Sequence, residues 1–264
     1  MTAPTTRLAV LIDADNTSPK HVSGLLEELA QYGVTTVKRA YGDWTTTQLT
    51  GWKTELNQHA IAPVQQFSYT TGKNSTDSAL IIDAMDLLYS GNLDAFAIVS
   101  SDSDFTRLAT RIRESGKTVY GLGLRKTPTS LVAACDRFIY LEVLGGGVSE
   151  GESASAEPLP DLQKLLTRAV NSTSGDDGWA HLGAIGTYLS SASASFDPRN
   201  YGFPKLVALA EAQPFLEVEN IGGGTTKVRL VPSKGRSGNA APATKTAAKK
   251  TTTRRRSRST QSNG

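Results

Sequence analysis

The sequence predicts an α/β fold, a mostly parallel sheet with helices on both faces, followed by a smaller α+β region. Three observations predict it. Short apolar runs alternate with amphipathic stretches of helical period through residues 7–143. Two of those runs, 8–12 and 95–99, are apolar throughout, as strands covered on both faces must be. After a glycine- and serine-rich break, the pattern changes to short helices and one hairpin.

The strands are expected at 7–13, 35–41, 63–69, 94–100, 118–122 and 138–143. The first helix is expected over 18–32, with Ser18 as N-cap, Pro19 at the first helical position, and Val22, Leu25, Leu26 and Leu29 on one face. The second, over 76–89, places Leu80, Ile81, Ala84, Leu87 and Leu88 together and stops at Gly91. The third, over 104–115, gathers Phe105, Leu108 and Ile112 and stops at Gly116. These elements set a first domain at 1–144.

Residues 145–157 lack periodicity and suit a flexible linker. Helices are then expected over 161–171, 179–191 and 204–212, with a hairpin of 215–219 and 225–231. Three short helices and a hairpin make a winged-helix-like α+β domain at 158–231. Trp179 and Leu182 are read as its core, and Arg199 and Lys205 as phosphate contacts or solvated cations. From 232 to 264 an Ala/Thr/Lys/Arg bias predicts a disordered basic tail.

The net charge of +3 hides a division. The tail holds nine basic residues and no acidic ones, leaving 19 basic against 25 acidic in residues 1–231. Basic tails attract polyanions such as nucleic acid. The single cysteine, Cys135, excludes an intrachain disulfide and fits a reducing, cytoplasmic setting. The run at 8–12 is too short for a secretory leader, and no stretch approaches a membrane span.

The chemistry concentrates at strand ends. The first strand runs into Asp13 and Asp15, the fourth into Asp102 and Asp104. In an open α/β sheet the carboxyl ends of the strands are where ligands bind. Asp77 opens the second helix, which starts on that same side, and Asn16 adds a neutral oxygen. Carboxylates gathered there repel one another unless a cation neutralises them. A hard divalent ion, Mg²⁺ or Mn²⁺, prefers such oxygen donors. Lys73, Arg107, Arg125 and Lys126 fall in or near the same loops and can guide a phosphate backbone; Tyr41 and Trp44 can stack on bases. Competing local roles exist: Asp104 suits a helix N-cap, Asp77 a helix dipole, and Trp44 packing beneath a loop. Asp83 and Asp86 read as solvated helix-face residues.

Asp13-Ala14-Asp15-Asn16-Thr17 also fits the Asp-x-Asp-x-Thr opening of haloacid-dehalogenase-type phosphatases, with Asp13 as nucleophile. Against it stand the helix starting at once at Ser18-Pro19, the lack of a clear third-motif lysine, and the wrong spacing of Asp102-Ser103-Asp104.

Three segments in order, Leu11-Ile12-Asp13-Ala14-Asp15-Asn16, 73–80 (KNSTDSAL) and 99–105 (VSSDSDF), make residues 7–143 resemble the NYN family of PIN-like nucleases. Residues 177–183 (DGWAHLG) and 197–203 (DPRNYGF) make the second domain similar to the OST-HTH/LOTUS module. The pairing resembles the bacterial LabA-like group. Many relatives carry glycine where Ser101 stands. The resemblance implies a PIN-like, Rossmann-related fold and a metal-dependent endoribonuclease. Asp13, Asp77, Asp102 and Asp104 map onto its acidic metal positions, and Asn16 onto its motif asparagine. For the second domain it implies RNA binding, or docking of a protein partner. The leading reading is hydrolysis of single-stranded RNA with Mg²⁺ or Mn²⁺, RNA being recruited by the second domain and the tail. Its competitor is a non-catalytic RNA-binding regulator.

Overall fold

The computed structural model describes residues 6–67, 75–145, 159–222 and 224–231. Six strands form one parallel sheet: β1 (Arg7–Asp13), β2 (Val34–Gly42), β3 (Ala62–Gln65), β4 (Ala95–Val99), β5 (Thr118–Gly123) and β6 (Arg137–Tyr140). Their order is β3-β2-β1-β4-β5-β6. The chain winds outward in one direction from β1 and in the other from β4. Between these two strands lies the switch point, where an open α/β sheet leaves a crevice at its carboxyl edge.

Alternation along β1 explains the layers. Leu8, Val10 and Ile12 turn to one face and meet Val22, Leu25 and Leu29 of α1 (Val22–Leu29). Ala9 and Leu11 turn to the other and meet Leu80 and Ala84 of α3 (Ser75–Tyr89) and Leu108 of α4 (Thr106–Glu114). Every residue of β4 is buried. Gly91 and Gly116 take positive φ, 70° and 76°, where α3 and α4 stop, as their lack of a Cβ allows.

The first expected helix opens as a 3₁₀ turn at Pro19–His21, and Ser18 makes no side-chain cap bond to it. Two helices escaped the sequence reading: α2 (Trp52–Gln58) and α5 (Thr129–Ala134). Both are under two turns long, and Trp52 is the single buried residue of α2, so neither shows a periodic apolar face. β3 ends at Gln65, short of the expected 69, and Pro63 is tolerated because β3 is an edge strand. β6 stops at Tyr140 and passes into a 3₁₀ turn at Leu141–Val143. The expected linker from 146 onward and the basic tail lie outside the described residues.

The second region contains α6 (Leu162–Thr173), α7 (Leu182–Ala192) and α8 (Leu206–Glu211). With them goes an antiparallel sheet of β7 (Ala180–His181), β8 (Leu216–Gly222) and β9 (Thr225–Leu230), in the order β7-β9-β8. Asp161 caps α6, accepting from Lys164 N at 3.2 Å. Leu166, Val170, Leu182, Ile185, Leu189, Leu209 and Val228 form the core. Trp179, expected there, lies outside it. α7 begins three residues later than expected, and the indole is half-exposed with Arg229 4.6 Å above its ring. No helix among the described residues is long and apolar enough to cross a membrane.

Candidate functional site

Asp13 is the last residue of β1 and 0% exposed. Its Oδ2 accepts from Ser100 Oγ at 2.7 Å and from Asn16 Nδ2 at 2.8 Å; its Oδ1 accepts from Asn16 N at 3.3 Å. Burial raises its pKa, and the hydrogen bonds from Ser100 and Asn16 offset only part of that. Ser100 is 1% exposed and works in two directions. Its hydroxyl donates to Asp13 and accepts from Asp102 N at 3.1 Å. The end of β1 is thereby tied to the loop after β4.

That loop turns immediately into a 3₁₀ turn, Ser103–Phe105. Asp102, not Asp104, is its N-cap, accepting from Asp104 N at 2.9 Å. The turn aims Asp104 out toward solvent while Phe105 enters the core. Asp77 reaches the same place from the first turn of α3. Next to it, Thr76 Oγ1 donates to Asp15 Oδ2 at 2.8 Å, so Asp15 fastens the start of α3.

One oxygen each from Asp77, Asp102 and Asp104 lies within 4.8 Å of the others. Asp13, expected as a fourth ligand, is not in this group. It sits buried behind it, near enough to be the strongest charged neighbour of Asp77. Burial, then repulsion from Asp13, Asp102, Asp104 and Asp15, pushes Asp77 up to about 6. Three converging carboxylate oxygens form a hard-cation donor set, and Mg²⁺ or Mn²⁺ fits it.

The expected RNA contacts divide. Arg107, in the first turn of α4, and Lys126, in the loop after β5, are exposed. Lys73 lies outside the described residues. Tyr41 is 0% exposed and its hydroxyl donates to Asp83, so its ring is not available for stacking. Asp83, expected in solvent, is half-buried and also holds Arg39. Trp44 packs edge-on to Trp52, centroids 6.4 Å apart, and its indole N–H donates to Val64 O at 3.0 Å. Arg125 is half-buried and donates to Asn200 O of the second region, at 3.3 Å.

Ser100 and Thr76 were not singled out by the sequence reading, and Ser101 was marked only as a departure from the glycine of the family it resembles. Ser101 Oγ accepts from Leu124 N at 2.8 Å and joins the acidic loop to the loop after β5. A Cβ on Gly123 would stand 2.7 Å from Ser100 O, so glycine is needed for this close approach. The available signal was the pair of hydroxyls directly preceding Asp102.

An open parallel sheet with carboxylates converging at its switch point defines a class of acidic-edge α/β proteins to which metal-dependent nucleases belong. The chain belongs to the NYN domain family, whose model matches residues 7–142, and its second region matches the OST-HTH/LOTUS domain over 157–228. An uncharacterized protein of Methanocaldococcus jannaschii, MJ0482, is 27% identical over 127 residues, which cover 44% of this chain and 47% of that protein. The chain thus spans about half the length of that curated relative. Among solved structures, a protein of unknown function from Vibrio parahaemolyticus, VPA0982, shares 17% identity over 53% of this chain and 95% of its own, at a TM-score of 0.45. A solution structure of a protein from Chromobacterium violaceum shares 36% identity over 27% of this chain and 82% of its own, at a TM-score of 0.24.

Proposed function

We propose that the protein is a divalent-cation-dependent endoribonuclease acting on single-stranded RNA, with its LOTUS domain recruiting the RNA. The observation that carries this reading is the convergence of Asp77, Asp102 and Asp104 at the crevice between β1 and β4. These three residues would hold Mg²⁺ or Mn²⁺. Such an ion lowers the pKa of water and neutralises a phosphodiester in the same position.

The chain's own side chains set the conditions. Asp13 is fixed by Ser100 and Asn16 and keeps the potential behind the trio negative. Asp77 holds a proton below about pH 6 and is an oxygen donor above it. An acidic crevice repels RNA, so cations must guide the backbone. Arg107 and Lys126 are exposed near that edge, and Lys73 belongs with them by its place in the sequence. The phosphatase alternative needs an accessible nucleophile at Asp13, which is fully buried with Oδ2 already accepting two hydrogen bonds.

The test is incubation of the purified protein with end-labelled RNA in Mn²⁺ and in EDTA. Cutting in Mn²⁺ alone, lost on Asp102→Asn plus Asp104→Asn, is the expected result. RNA that binds but is never cut under any cation would establish the regulator reading in its place.

A further inference from the structure

Arg199 lies in the 3₁₀ turn Pro198–Tyr201 of the LOTUS region, and its guanidinium bridges from there to the other domain. Nη1 donates to Glu28 Oε2 at 2.8 Å and Nη2 to Glu28 Oε1 at 3.0 Å. The same fork reaches Asp197 through Nε at 3.0 Å and Nη2 at 2.7 Å. Glu28, on α1, is 5% exposed, and Tyr32 Oη donates to its Oε1 at 2.8 Å. Arg137 pairs with Asp197 at 3.5 Å and stands 5.2 Å from the centre of the Tyr32 ring, which stacks on Tyr120.

The contact continues along β6. Phe138 N donates to Ala194 O at 2.8 Å, using an edge-strand group that would otherwise face water. At the far end, Arg125 lies 6.0 Å from the Tyr140 ring centre and donates to Asn200 O. The residue before it, Leu124, is hydrogen-bonded to Ser101, the neighbour of Asp102. Domains joined by a linker move relative to each other by default. A bidentate Arg–carboxylate pair with one partner buried opposes that motion, because opening would strand the Glu28 charge.

We propose that Arg199 is a latch that holds the LOTUS domain on the β6 edge as one rigid body with the acidic domain. RNA bound by the LOTUS domain is then presented at a fixed offset from Asp77, Asp102 and Asp104. The presentation half rests on the ribonuclease reading above; the rigid-body half does not.

The experiment uses the full chain with nitroxide labels introduced through Glu114→Cys and Glu211→Cys, both exposed sites, while buried Cys135 stays unlabelled. Double electron–electron resonance should give one narrow distance distribution. Arg199→Ala and Glu28→Gln should broaden it, and Arg199→Lys should broaden it less. Arg229→Ala, which breaks a pair within the LOTUS hairpin, should leave it narrow. Circular dichroism confirms that each variant is folded, and Glu28→Gln carries the test should Arg199→Ala fail to fold. A broad distribution in the parent, or a narrow one in both Arg199→Ala and Glu28→Gln, overturns the latch. With RNA long enough to span both domains, kcat/KM should fall by about tenfold in the latch variants, as effective concentration is lost, while short oligonucleotides are cut as before. Equal losses on both overturn the presentation half. A parent that cuts neither substrate sinks the ribonuclease reading, and the distance distribution still decides the latch.

Discussion

The Ser100 hydroxyl donates to Asp13 Oδ2 at 2.7 Å, and this bond joins the carboxyl ends of the two central strands. It lets a buried carboxylate persist between β1 and β4, where burial opposes its charge. The same oxygen accepts the Asp102 amide, so one side chain sets the positions of carboxylates from separate segments.

Ser100→Ala should therefore cost more than a surface hydroxyl. It removes a donor from buried Asp13 and an acceptor from Asp102 N, at about 1–3 kcal/mol. Urea denaturation of the cation-free protein measures it. A loss within experimental error would show that Asp13 is satisfied without Ser100.

Asp77 makes the site respond to pH. Its folded-state pKa, about 6, lies above the ordinary 3.8. Between those values the folded chain holds more protons than the unfolded one, so cation-free stability falls as pH rises through that window. Above it the cost is complete, roughly 2–3 kcal/mol for a shift of that size. A bound divalent cation removes the cost. Thermal unfolding should show a large Mn²⁺ stabilisation near pH 8 and a much smaller one near pH 5, both lost in Asp77→Asn. Equal Mn²⁺ stabilisation at the two pH values would contradict the proposed donor set.

Arg107→Ala should weaken RNA binding similarly for all sequences and lower the salt slope of binding by about one. Fluorescence anisotropy at several salt concentrations reads both. An unchanged slope would remove Arg107 from the RNA path.

Asp83→Asn should destabilise the protein, by about 1–3 kcal/mol, because Tyr41 and Arg39 both lose a charged acceptor. Urea unfolding checks the magnitude. α3 carries Asp77 at its other end, so Mn²⁺ titration calorimetry of the same variant reports whether the Asp83 contact also sets the cation site.

The Ser101 hydroxyl accepts the Leu124 amide and joins two loops at the acidic edge, a bond that glycine at this position would lack. Its partner lies 23 residues away, which is why neither local pattern nor motif showed it.

Local physics carries only part of the way. Alternation of strands and helices, strands apolar on both faces, glycine stops, and carboxylates just past the ends of β1 and β4 are properties of short windows, and the sequence by itself determined them. Which carboxylates converge is a different kind of fact. Only the tertiary structure grouped Asp77 with Asp102 and Asp104, set Asp13 behind them, enclosed Tyr41, and turned Arg125 and Arg199 from candidate RNA contacts into links between domains. Those outcomes depend on partners as much as 171 residues apart, as for Glu28 and Arg199. Periodicity and capping act over a few residues, whereas burial and ion pairing are decided when distant segments pack.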